Sequence, residues 1–176
     1  MNKNVKKLVL SGICLGLCMV LPFLTGQIPQ IGSMISPMHI PVFLCGFLCG
    51  WPYALVMGFI APILRYFLFG MPPILPTGMA MAFELAAYGA VAGFAYKRAP
   101  KTNIFIYVSL IAAMLAGRAV WGIASMAIYG LQGNQFTFSA FLAGAFIKAV
   151  PAIIIHIAII PVLVIAAKRA GFIENE

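Results

Sequence analysis

The chain has very little acid. Asp and Glu together number three in 176 residues, and the charged residues of both signs amount to 8%. A soluble domain usually carries about 25% charged residues, so this composition excludes one. Too few carboxylates are present for an acidic catalytic pair, and neither an HExxH nor a GxSxG pattern occurs. A phosphate-cradling GxxxxGKS/T loop is absent as well, so any ATP-driven work belongs to another protein. Cys14, Cys18, Cys45 and Cys49 form two i,i+4 pairs within apolar runs, with neither a polar loop nor a histidine beside them. That placement argues for small helix-packing side chains rather than a disulfide framework or a zinc site. No metal and no cofactor is expected. An internal repeat of the inverted-topology kind is also lacking, which weakens a reading as an autonomous alternating-access transporter.

What is present is apolar. Hydrophobic residues make up 64% of the chain, which places it in the all-α class as a polytopic membrane bundle. Spans of about 20 residues, shortened where prolines end them, predict six helices at about 8–24, 39–50, 53–69, 78–96, 104–129 and 138–167. All six belong to one integral membrane domain covering 1–176. The second span is short enough to be a re-entrant or partly buried segment. The basic start reads as the flank of a first span, not as a cleaved signal peptide, because no small-residue cleavage site in a polar context follows.

Eight of the eleven basic residues flank the spans: Lys3, Lys6, Lys7, Lys97, Arg98, Lys101, Lys168 and Arg169. The three loops on the other side, 25–38, 70–77 and 130–137, carry no charge. Basic loops stay cytoplasmic, so the asymmetry predicts a multi-pass cell-membrane protein with both termini inside. It also accounts for the net charge of +8 without a nucleic-acid partner. The partner implied by composition is the lipid bilayer. The first external loop is long for a compact bundle and offers Gln27, Gln30 and Ser33 as hydrogen-bonding candidates, or serves as a solvated connector.

Arg65, Glu84, Arg118 and Lys148 fall inside the apolar stretches, where an ionised group costs roughly 2.5 to 3.5 kcal/mol on insertion scales and marks a functional interior. Arg65 lies near the external end of the third span and Glu84 near the external start of the fourth, so the two can meet as an ion pair or contact a substrate. Arg118 and Lys148 lie in the outer half, roughly 20 Å from the inner end and roughly 15 Å below the outer one. Either can face a common cavity or pair with helix carbonyls. Three cations against one carboxylate favour an anionic solute. His39 opens the second span and is a further site candidate. His156 lies deep in the last span as a packing residue, far from His39 in the inferred topology, which argues against a metal pair. Tyr88, Trp121, Asn134 and Gln135 can stack on or hydrogen-bond a ligand, with interfacial anchoring as the alternative for the aromatics. From the residues alone the chain is a binder, with a stand-alone small-solute transporter or channel as the alternative and a membrane enzyme a distant third.

Gly12, Gly16 and Val20 recur at four-residue spacing in the first span. Such a face allows close helix approach, whether inside the bundle or to a partner. The Gly12-xxx-Gly16 face, the six-span layout, the long first external loop and the stretch Met38 to Tyr88 (MHIPVFLCGFLCGWPYALVMGFIAPILRYFLFGMPPILPTGMAMAFELAAY) resemble the substrate-binding S component of energy-coupling-factor (ECF) vitamin transporters. The resemblance covers essentially the whole chain. It implies a six-helix bundle that captures a water-soluble vitamin on its outer side and associates with a transmembrane coupling subunit and two ATPase subunits. It also implies that the chain is not itself an enzyme. Gly12 and Gly16 occupy the family's small-residue positions toward the coupling subunit, and Val20 departs from the third. The pocket implied is lined by 27–38, Glu84, Tyr88, Arg118, Trp121, Asn134, Gln135 and Lys148. The central block is most similar to a pantothenate-like branch, and pantothenate or folate would suit the cationic interior.

Overall fold

The computed structural model describes residues 2–25, 28, 32, 34–100 and 102–173. Gln27, Gln30, Ser33 and Lys101, named above from the sequence, lie outside the described residues. Among the described residues the secondary structure is helical, without strands. The helices are α1 (Lys3–Val20), α2 (His39–Cys49), α3 (Trp51–Phe69), α4 (Met79–Arg98), α5 (Asn103–Leu131), α6 (Phe138–Leu142) and α7 (Val150–Arg169). A π-turn at Ala143–Ile147 joins α6 to α7, giving one helical stretch Phe138–Arg169. Five stretches are long and apolar enough to cross a membrane, and α2 is the shorter sixth.

The boundaries follow from local chemistry. The first helix begins at Lys3, ahead of the expected apolar run, because Asn2 Oδ1 accepts the Asn4 N–H (3.1 Å) and caps the polar turn. Gly50 separates α2 from α3 at φ 92°, a conformation a side chain disfavours, and Pro52 enters the first turn of α3, where its missing N–H costs nothing. Gly70 ends α3 in the left-handed conformation, φ 71°, with its N–H on Tyr66 O (2.8 Å). Between α3 and α4 the proline-rich segment Met71–Pro73 leads into Ile74–Gly78, where Leu75 is extended at φ −123°, ψ 137°.

Helix α4 is central. It packs on α2, α3 and α5, while α2 also touches α1, α3 and α7. Although α2 has only 11 residues, eight of them are buried, so the short second span is an interior element. Lipid is as apolar as leucine, so helices in a membrane associate by close packing. Small residues supply it here: a Cβ at Gly93 would lie 2.6 Å from Trp51 N and 2.7 Å from Gly46 O, and one at Gly58 would lie 2.6 Å from Leu85 O. The four cysteines are buried free thiols in this contact region. Cys18 Sγ donates to Met38 O (3.5 Å), linking α1 to the start of α2. Large apolar side chains such as Phe67, Ile123 and Ile154 are exposed on the bundle's outer surface, as helices of membrane-spanning length and composition require.

Candidate functional site

The short α2 leaves a void above its first turn. A cavity of about 570 Å³ opens there toward the uncharged-loop end, lined by His39, Arg65, Glu84, Arg118, Trp121 and Lys148 among others. Its wall also includes Ser36, Met38, Met71 to Pro73, Thr77 and Gly144.

Glu84 is the hub. Its carboxylate is buried, and its Oε1 accepts both from Tyr88 Oη (2.8 Å) and from Arg118 Nη1 (2.8 Å). Tyr88 follows Glu84 by four residues on α4, so both project from one helix face. Arg118 arrives from α5, and Gly117 beside it leaves room for the Tyr88 ring, which a Cβ would meet at 2.4 Å. Glu84 Oε2 lies 3.9 Å from His39 Nε2, too far for a hydrogen bond. Neither ring nitrogen of His39 has a hydrogen-bond partner, although the side chain is buried.

The Arg65–Glu84 meeting is corrected: Arg65 shares the cavity with Glu84 but is bound elsewhere. Its Nη1 donates to Met19 O, and its guanidinium lies 5.2 Å from the Phe23 ring and 5.1 Å from the Phe69 ring. Two aromatic faces and a carbonyl offset the charge that sequence depth assigned to Glu84. The expected separation of the two histidines is also corrected. His39 and His156 stack with centroids 5.7 Å apart, because the chain before α2 folds in against α7, and His156 Nε2 donates to Ser36 O (3.3 Å). Phe43 and Tyr88 complete this aromatic floor, with ring centroids 4.9 Å apart. The described residues contain no group of three or more His, Cys, Asp or Glu side chains able to hold a metal.

Lys148 follows the π-turn, its N–H bonded to Ala143 O (2.9 Å), and lines the cavity from α7's side. Its side chain is exposed and makes no ion pair or hydrogen bond with the described residues. Trp121 forms part of the opposite wall and lies over Gly144, where a Cβ would meet its ring at 2.7 Å. Tyr88 is in the floor behind Glu84. Asn134 and Gln135 are exposed in the loop before α6 and are not among the lining residues. Ser36 falls within the 27–38 segment named from the sequence, whereas sequence reasoning missed Thr77, Gly144 and the wall Met71–Pro73. Ser36 has a left-handed backbone, at φ 50°, and nothing in the residue types signals Thr77, Gly144 or the wall.

Gly12, Gly16 and Val20 lie on the outside of α1, and a Cβ at either glycine would meet nothing within 4 Å. Their face is therefore open, not part of the bundle's own core.

The family profile described as ECF transporter, substrate-specific component, matches residues 6–164. No curated protein and no solved structure matches the chain. A match over nearly the entire length agrees with the charged cavity and the five membrane-length helices. The chain therefore belongs to the substrate-specific components of ECF transporters, multi-pass proteins of the cell membrane that bind substrate.

Proposed function

We propose that this chain captures a small water-soluble vitamin or vitamin precursor bearing a carboxylate, of which pantothenate and folate are representatives, and passes it to a transmembrane coupling subunit driven by two ATPases. The 1–176 chain acts as one membrane domain, with its basic end in the cytoplasm and the cavity open to the outside.

The observation that carries this reading is the state of the cavity's charges. Three cations and one carboxylate line it, an excess of two positive charges. Arg118 is spent on Glu84, and Arg65 on a carbonyl and two rings. Lys148 alone of the three has no partner among the described residues. A carboxylate seated against Lys148 supplies a counter-charge in a site partly screened from bulk water. His39, buried with two ring nitrogens that make no hydrogen bond, adds a polar contact for a hydroxyl or amide of the same ligand. A volume of about 570 Å³ lies within the usual range for small-molecule sites.

Native mass spectrometry of the purified protein identifies any retained ligand. Calorimetry then compares the parent with Lys148→Met, using pantothenate, folate and their amides as probes. A charge-assisted hydrogen bond contributes about 1.5 to 3 kcal/mol, so Lys148→Met weakens binding about ten- to a hundredfold, and the amide loses a similar factor on the parent. Equal binding of carboxylate and amide by both proteins refutes the anionic-ligand reading. In liposomes the chain alone binds without uptake; robust ATP-independent uptake refutes the assignment to partner-driven transport.

A further inference from the structure

A second cavity, of about 480 Å³, lies at the opposite, basic end of the bundle. It is bounded by the start of α1, the junction of α2 with α3, the end of α4 and residues 172–173. Lys3, Lys6, Lys7 and Lys97 all line it, and no acidic residue is among the described lining. Lys6 Nζ donates to Gly171 O (3.2 Å) and lies 5.8 Å from the Phe172 ring centroid, which ties the segment after α7 to α1. Lys7, half-buried, and Lys97 make no hydrogen bond or ion pair with the described residues.

The first turn of α3 also lines this space, and Gly50 provides no side chain to cap it. The positive end of a 19-residue helix thus adds to the four ammonium groups. Lysines that serve topology alone need only lie on one side of the membrane. These converge on a single cavity, with apolar walls from Phe47, Leu48 and Trp51. Cations over apolar walls at the level of the helix ends match a lipid headgroup and its glycerol better than a freely soluble anion, which has no use for those walls.

We propose that this cavity holds the phosphate of an anionic phospholipid, with Lys7 and Lys97 as its principal contacts and the apolar walls against its glycerol and first methylenes. The site is separate from the vitamin cavity and does not depend on that assignment.

The full-length protein, solubilised in mild detergent, is given equimolar phosphatidylglycerol and phosphatidylcholine and examined by native mass spectrometry. Phosphatidylglycerol is expected to be retained in preference. Each lysine near an anionic group contributes a factor of about five, so a Lys7→Gln/Lys97→Gln double variant should lower that preference about thirtyfold. Lys7→Arg/Lys97→Arg should keep it. Circular dichroism checks that the variants fold, and the single Lys97→Gln, at an exposed position, provides the same test should the double variant not fold. Equal retention of both lipids, or an unchanged preference in the glutamine variants, overturns the proposal. Competition by millimolar inorganic phosphate as effective as that of phosphatidylglycerol overturns the lipid commitment in favour of a soluble anion. Loss of the coupling subunit from the glutamine variants, with lipid preference intact, overturns it in favour of a protein interface.

Discussion

Removing Arg118 should damage the protein more than removing the carboxylate it pairs with, and removing both should repair much of the damage. In Arg118→Met, Glu84 keeps only the Tyr88 hydroxyl as a hydrogen-bond donor, and its side chain is 4% exposed. Breaking one side of a buried ion pair costs about 3 to 5 kcal/mol, chiefly because an uncompensated charge remains. In Glu84→Gln the stranded charge is Arg118, which is 13% exposed and lines the cavity, so water entering there can solvate it. The amide carbonyl that replaces the carboxylate still accepts from Tyr88, and the expected loss is about 1 to 2 kcal/mol. The double variant strands no charge and should fall within about 1 to 2 kcal/mol of the parent. The assay is reversible unfolding in mixed micelles titrated with a denaturing detergent, with all four proteins measured at one lipid composition. Independent sites add to within about 0.5 kcal/mol. A double variant whose loss equals the sum of the single losses would show that Glu84 and Arg118 do not depend on each other, and the hub described here would be wrong.

Two further expectations concern glycines. Gly16→Leu, like Gly12→Leu, should leave stability and substrate affinity nearly unchanged while impairing co-purification of the coupling subunit, because a Cβ at either position meets nothing within 4 Å in the chain. Lost ligand binding with assembly intact would contradict this. Gly93→Leu should instead lower unfolding stability by several kcal/mol, since the backbone atoms of Trp51 and Gly46 that it meets cannot rotate away as a side chain can; a thermal unfolding curve matching the parent's would refute that packing.

The helices were readable because charge and proline mark their ends. Lys97 and Arg98 close α4, and Trp51–Pro52 opens α3. Depth was readable too, and it put Arg65, Glu84, Arg118 and Lys148 around one space. Azimuth was not. Position along a helix tells how far Glu84 lies from a membrane surface but not which neighbour it faces, and so Arg65 was matched to it where Arg118 is the partner. The same blindness separated His39 from His156, whose rings stack because the segment before α2 turns inward. Gly93 went unnoticed because α4 is apolar around much of its circumference, and a contact face on such a helix has no polar contrast to reveal it. The wall Met71–Pro73 shapes the cavity by backbone and carbon alone, which leaves no chemical mark in the sequence.

The brevity of α2 has an electrical meaning. Eleven residues rise about 16 Å, roughly half of a hydrocarbon layer about 30 Å thick. Where water and ions enter the space above them, the membrane voltage falls mainly across the protein floor below. An anionic ligand of the kind proposed above would therefore cross little of the field on entering this space, and its capture should be indifferent to membrane potential. The electrical work, about 2.3 kcal/mol per charge at 100 mV, would fall instead on whichever later step releases the ligand on the other side.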